Sequence, residues 1–192
     1  MIHRAGVTGA ILAGGRSTRM GRNKALLELN GRPFIQHVAE TMAAVLPDVV
    51  VVADDVAPYR FLGLPVISDI HKGCGPIAGL HAALSHSESP VFVLSCDTPF
   101  VSPDLIRYVI DFPTPVAANI VSFDGGLQPL CGLWSRECLP AIEKRIAEGL
   151  NSMLGLLEEI RFTTVHVGPE LPFHDPWLLK NFNSPEDLSI LQ

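Results

Sequence analysis

The sequence carries no surplus of positive charge. Its 14 Lys and Arg are outnumbered by 20 Asp and Glu, for a formal net charge of −6. That balance argues against a nucleic-acid-binding surface or a surface for anionic membranes, both of which are met by an excess of cations. No apolar run approaches the ~18 residues that a membrane span needs, and no charged stretch followed by a long apolar segment stands at the N-terminus, so neither membrane insertion nor secretion is expected. Cysteines are few: Cys74, Cys96, Cys131 and Cys138 are scattered, form no C-x-x-C pair and lack the histidine spacing of a zinc site. They read as reduced thiols of a cytoplasmic protein. Internal repeats and low-complexity segments are also missing, and 47% hydrophobic residues with only 18% charged leave no disorder signature. At 192 residues, the expectation is one domain with a sizeable core.

Against this background the stretch Leu12 to Lys24 stands out. An apolar run, Val7 to Leu12, stops there, and the next residues pack three glycines, three arginines and one lysine into the thirteen positions from 12 to 24. Glycines allow positive φ and close backbone approach, so that several N–H groups can converge on phosphate oxygens. Arg16, Arg19, Arg22 and Lys24 can neutralise the charge that remains. Lys24 is followed by Ala25 in place of Ser or Thr, and the glycines miss the dinucleotide spacing, which excludes a Walker loop and a dinucleotide fingerprint. Taken alone, the stretch is either a polyphosphate site or a basic surface turn between a strand and a helix.

The rest of the chain alternates. Val7–Leu12 reads as a strand buried on both faces. A helix with Pro33 in its first turn is expected to run to about Leu46, with Phe34, Val38, Met42 and Val45 at helical spacing. Asp48–Ala53, Pro65–Ile67 and Val91–Ser95 read as further strands. Gly75 and Pro76 open a second helix with Gly79 close to a neighbour, and Ser102-Pro103 opens a third that runs to about Ile110. Beyond Pro115 a hairpin is expected, Val116–Phe123 returning as Gln128–Trp134 through Asp124-Gly125-Gly126. Ser135 caps a helix carrying Leu139, Ile142 and Ile146, a further helix covers Ser152–Ile160, Arg161–Val167 is a strand, and Ser184-Pro185 starts a last helix. The predicted class is α/β: a Rossmann-like, doubly wound, mainly parallel sheet with helices on both faces and a small antiparallel addition in the C-terminal half.

Three acids follow strands, Asp54, Asp69 and Asp97, and in such a sheet all three fall on the carboxyl-terminal edge beside the glycine-rich loop. A carboxylate facing a polyphosphate is the expected ligand of Mg²⁺, and Asp97, at the abrupt end of an apolar strand, is the first choice. The implied chemistry is nucleotidyl transfer, in which Lys24, Arg19 and the metal at Asp97 stabilise charge while a phosphate displaces pyrophosphate. Such a nucleophile is already ionised near neutral pH, which agrees with the lack of a Ser-His-Asp or Cys-His set. His71, His81 and His86 read as surface or packing residues, and Cys96 as a buried packing thiol.

Leu-Ala-Gly-Gly-x-Ser-x-Arg-Met-Gly-x-x-Lys at 12–24, Gly-Pro-Ile-x-Gly-Leu at 75–80, Cys-Asp-x-Pro-Phe at 96–100, Gln-Pro-Leu at 128–130 and Asn-x-Asn-Ser-Pro-Glu-Asp-Leu at 181–188 together resemble the molybdenum cofactor guanylyltransferases. The resemblance implies transfer of GMP from GTP to the phosphate of Mo-molybdopterin, with Mg²⁺ as cofactor. It implies a GTP site at Leu12, Ala13, Gly14, Gly15, Gly21 and Lys24, with Arg19, Gly75 and Gly79 lining it. Asp69 would contact the nucleotide and Asp97 both nucleotide and metal, while Gln128, Asn181 and Asn183 would lie on the pterin side. Residues 1–110 would form the GTP half and 111–192 the molybdopterin half. Transient contacts with molybdopterin-delivering and molybdoenzyme-maturation proteins are also implied. Two positions depart from the family pattern: Val52 and Asp54 stand where some members have Asn on the guanine side, and Gly149–Ser152 where relatives often have Arg. A cytidylyltransferase of the same fold using CTP, and a GTP- or pterin-binding protein without catalysis, are the alternative readings.

Overall fold

Short runs of β-branched and apolar residues make the strands. In a computed structural model, which describes residues 6–14, 23–113 and 116–182, Thr8–Leu12 forms β1, Asp48–Val52 β4, Val66–Ile67 β5 and Val91–Ser95 β6. Ala118–Phe123 forms β7, Gly126–Trp134 β8 and Phe162–Val167 β9, while Glu28–Leu29 (β2) and Arg32–Pro33 (β3) make a separate small hairpin. The large sheet has seven strands in the order β5-β4-β1-β6-β8-β7-β9. All but β8 run the same way: β1 pairs in parallel with β4 and β6, whereas β8 pairs antiparallel with both β6 and β7. The antiparallel element expected in the C-terminal half is thus a strand inside the sheet, wedged between β6 and β7.

Alternation along the strands feeds two cores. Ile11, Val49, Val51, Phe92 and Leu94 face α1 (Phe34–Ala43) and α3 (Pro103–Asp111), a layer that also takes in Leu178 and Leu179 from the chain after β9. Ala10, Leu12, Val50, Val52 and Val93 face the other way, toward α2 (Pro76–His86), α4 (Leu139–Ala147) and α5 (Met153–Leu157). Strands buried on both faces and covered by helices on both sides are the doubly wound arrangement expected.

The boundaries differ in places for local reasons. Pro33 stands just before α1, as the last residue of β3, and α1 stops at Ala43 instead of Leu46; Leu46 precedes Pro47, whose ring disfavours helical backbone at the residue before it. Helix α5 ends at Leu157, short of Ile160. Ser135 caps a 3-10 turn, Arg136–Cys138, that runs into α4, accepting from the Glu137 N–H at 3.2 Å. Ser102 and Ser152 cap α3 and α5, accepting from Leu105 and Gly155. The helix expected at Ser184 lies outside the described residues. Among the described residues no helix is long and apolar enough to cross a membrane.

Candidate functional site

The chain runs from β1 to β4 and β5 on one side, then crosses to β6 on the other, so the strand order switches direction between β1 and β6. In open α/β sheets the crevice at the carboxyl ends of the strands at such a switch is where ligands bind. Here the two strand ends are joined: the Cys96 N–H donates to the Leu12 carbonyl at 3.2 Å, and the Ala13 N–H to Val52 at 2.9 Å. The loop after Leu12, Asp54 after β4, Asp69 after β5 and Asp97 after β6 consequently share one edge. An open groove lined by Thr8, Pro47, Asp48, Pro65 and Glu88 lies at the opposite edge, away from all of them.

Gly14 is exposed, and among the described residues a Cβ added there would meet the Val52 carbonyl alone, at 3.9 Å. Lys24 opens a 3-10 turn, Lys24–Leu26, capped by Asn23, whose Oδ1 accepts from the Ala25 N–H at 3.1 Å. Gly15, Arg19 and Gly21 lie outside the described residues, as does Asn183.

Gly75 precedes α2 with φ 72° and ψ −153°, a region essentially restricted to glycine, and Pro76 begins the helix. Four residues on, Gly79 lets α2 approach β1: a Cβ there would stand 3.3 Å from the Leu12 side chain. The first turn of α2 is thereby held against the strand that feeds the glycine-rich loop.

Asp97 sits in a turn braced from within. Ser95 Oγ donates to its Oδ1 at 2.5 Å, and Thr98 Oγ1 donates to the Ser95 carbonyl at 3.0 Å. The neighbouring Cys96 thiol is pushed up to about 12, chiefly by burial and further by the Asp97 charge, while Lys24 lies close enough to oppose the rise. Cys96 is therefore a protonated packing thiol and no nucleophile. Asp69 is different in character. One of its oxygens is sealed from solvent with no hydrogen-bond partner among the described residues, and its carboxyl is raised above the ordinary carboxylate value, first by burial and then by Asp54. A buried oxygen without a partner costs stability unless a ligand completes it.

Two later segments reach the same edge. Strand β8 pairs with β6 up to Leu94–Cys131, and a register shift against β7 between Ile120 and Val121 frees the stretch that carries Pro129 and Leu130, so Gln128 lies beyond the end of β6 on the Asp97 side. After β9, the Phe182 N–H donates to the Asp97 carbonyl at 3.3 Å, which sets Asn181, exposed, beside that turn.

Comparisons to other proteins identify the family. A family model described as the MobA-like NTP transferase domain matches residues 9–161. A relative named probable molybdenum cofactor guanylyltransferase, from Aquifex aeolicus (strain VF5), is 37% identical over 180 residues, covering 93% of this chain and 86% of its own. The chain belongs to the MobA-like NTP transferase family. The molybdenum cofactor guanylyltransferase of Desulfosudis oleivorans (strain DSM 6200 / JCM 39069 / Hxd3) is 33% identical over 187 residues, 95% of this chain and 92% of that one. The molybdopterin-guanine dinucleotide biosynthesis protein A of Archaeoglobus fulgidus has the same fold, with a TM-score of 0.80 at 29% identity and 95% of each chain covered. The MobA-like NTP transferase match takes in the β1 loop, the start of α2, the Asp97 turn and Gln128, and it ends before β9 and the segment that carries Asn181.

Among the residues that support this site, the sequence reading passed over Asn23, Tyr59, Ser95 and Phe182. Ser95 and Asn23 stand two and one residues from Asp97 and Lys24, and hydroxyl or amide capping is a readable signal at such positions. Tyr59 and Phe182 act through contacts distant in sequence, for which the chain offers no periodicity.

Proposed function

We propose that this chain is a cytoplasmic enzyme that transfers GMP from GTP to the phosphate of Mo-molybdopterin, giving molybdopterin guanine dinucleotide and pyrophosphate. One observation carries the reading: the end of β1, where the glycine-rich stretch begins, and the Asp97 turn lie side by side across the strand-order switch, tied by the Cys96–Leu12 hydrogen bond. The family membership and the names of the relatives support the choice of substrates.

In this reading the nucleotide lies against the chain at Leu12, Ala13 and Gly14, and Lys24 offsets triphosphate charge; Arg19, Gly15 and Gly21, in the same stretch of sequence, serve the same site. Gly75 and Gly79 hold the N-terminus of α2 toward the ligand, where its unpaired N–H groups suit an anion. Asp69 faces the nucleotide from the end of β5, and Asp54 lies on the base side. Gln128, Asn181 and Asn183 hold the pterin substrate on the far side of Asp97, so that residues 1–110 serve GTP and 111–192 serve molybdopterin.

Hard oxygen donors fit Mg²⁺, which takes one or two carboxylates and completes its shell with phosphate oxygens and water. Asp97 would hold it, and the ion would offset charge on the triphosphate and on the departing pyrophosphate. The protein's own part is positioning. A phosphate oxygen of Mo-molybdopterin attacks the α-phosphorus of GTP, the bond from that phosphorus to the bridging oxygen breaks, and pyrophosphate leaves with the electron pair. No proton has to be removed from the nucleophile, so no general base is required. Lys24, fixed near the end of β6, stabilises the charge that builds on the phosphate oxygens. The experiment is a pyrophosphate-release assay with purified protein, Mg²⁺, GTP and Mo-molybdopterin; release that needs both substrates supports the reading, and none above background would refute it.

A further inference from the structure

The glycine-rich loop leaves β1 at Ala13 and the chain is next described at Asn23, and both of these stems are tied to one buried hydroxyl. Tyr59 lies in a 3-10 helix, Ala57–Leu62, that follows β4, and is 3% exposed within the core under α1. Its hydroxyl donates to the Ala13 carbonyl at 3.2 Å and accepts from Asn23 Nδ2 at 2.9 Å.

Neither stem has slack. Ala13 is held on its other side by its N–H bond to Val52. The Asn23 amide is used at both ends, Nδ2 on Tyr59 and Oδ1 on the Ala25 N–H, so its orientation is determined by the donors and acceptors around it. Through that second bond Asn23 caps the turn that opens with Lys24, a turn closed by the Leu27 N–H on the Lys24 carbonyl at 3.1 Å and fastened to α1 by the Phe34 N–H on Leu27 at 2.8 Å. Packing of the phenol ring in the core fixes the point from which both bonds are made. Burial also raises the Tyr59 hydroxyl above its ordinary value, which keeps it a neutral donor wherever phosphate is ionised.

We propose that Tyr59 is a positioning residue for Lys24: its hydroxyl sets the spacing of Ala13 and Asn23, and through Asn23 it sets the placement of Lys24 against the triphosphate of a bound nucleotide. The role of Lys24 rests on the function proposed above. Tyr59 itself touches no substrate.

The test compares Tyr59→Phe, which keeps the ring and removes both bonds, with Asn23→Ser, which keeps a capping oxygen for the Ala25 N–H but loses the amide that reaches Tyr59. Each single variant is expected to lower kcat with GTP by about 10- to 100-fold, as small misplacements in a positioned site do. The KM for Mo-molybdopterin should stay within about threefold of wild type, because the pterin side is untouched. The melting temperature should move by no more than about 3 °C. Since both substitutions break one unit, the double variant should be no slower than either single. In the unliganded protein, amide hydrogen exchange at Ala25, Leu26 and Leu27 should accelerate in Tyr59→Phe. Wild-type kcat in either single variant, or deficits that multiply in the double, would overturn the proposal. If the wild-type protein itself releases no pyrophosphate from GTP, the function proposed above fails separately, and unchanged exchange at these three amides in Tyr59→Phe then overturns the positioning role on its own.

Discussion

The backbone N–H of Phe182 donates to the carbonyl of Asp97 at 3.3 Å, so the segment after β9 is fastened to the turn that ends β6. The Phe182 ring is fully buried, 5.9 Å from Phe34 and 5.5 Å from Phe100 between centroids, and stacked on Trp177 at 6.2 Å. Replacing it by alanine removes a core aromatic and loosens Asn181 from Asp97 together. Phe182→Ala should lose about 3–5 kcal/mol of stability in urea denaturation. At a temperature where it is still folded, its KM for Mo-molybdopterin should rise more than its KM for GTP.

Asp69 gives a pH-dependent prediction. Its folded carboxyl is raised above the ordinary 3.8 by burial and by Asp54. Between 3.8 and the raised value the folded protein therefore holds a proton that the unfolded chain has released. Stability falls as pH climbs through that window. Asp69→Asn removes the titration, so thermal melts should show the variant more stable than wild type at neutral pH, with the difference vanishing below about pH 3.8. GTP affinity, measured by calorimetric titration, should fall in the same variant. A variant less stable than wild type at neutral pH would show that the sealed oxygen has a role in the fold.

The start of α2 can be probed by two glycines with different demands. Gly75 has φ 72°, and no described residue lies within 4 Å of a Cβ added there, whereas Gly79 has ordinary helical backbone but an added Cβ would stand 3.3 Å from the Leu12 side chain. Gly75→Ala should cost about 1–3 kcal/mol through backbone strain, and Gly79→Val a similar amount, about 1–3 kcal/mol, through overpacking. Both shift the helix N-terminus relative to β1, so both should weaken GTP binding. Leu12→Ala combined with Gly79→Val should restore part of the loss only for the second, which chemical denaturation and nucleotide titration can check.

Lys24 and Asp97 are partly exposed at the crevice and outside both apolar cores. Lys24→Ala and Asp97→Ala should therefore keep near-native melting curves while losing about 10²- to 10³-fold in turnover, the scale seen when a charge-stabilising group is removed. Near-wild-type rates in either variant would remove that residue from the chemistry.

Much of this arrangement was legible from residue spacing. Apolar runs that stop at Leu12, Ala53, Ile67 and Ser95 marked strands, and the acids or glycines that follow them had to share an edge once the strands ran parallel. Gly75-Pro76 marked a helix start, and Ser102 and Ser135 marked caps, because these signals act within four residues. The Asn30-Gly31 turn joining β2 to β3, both residues having positive φ, is missing from the sequence expectations, because its strands are two residues long and show no alternation. What stayed hidden depends on distant partners. The insertion of β8 between β6 and β7, the bulge that leaves Gln128 at the edge, the Tyr59 hydroxyl between Ala13 and Asn23, and the return of Phe182 to Asp97 are set by tertiary packing, for which no local pattern exists.

The most direct test of the central claim is a competition between GTP and CTP in the presence of Mo-molybdopterin and Mg²⁺, with pyrophosphate release measured and the dinucleotide product weighed by mass spectrometry. The expected result is release with GTP well above that with CTP and a product carrying guanine. Equal or greater turnover of CTP, with a cytosine dinucleotide as product, would contradict the assignment of this chain as a guanylyltransferase.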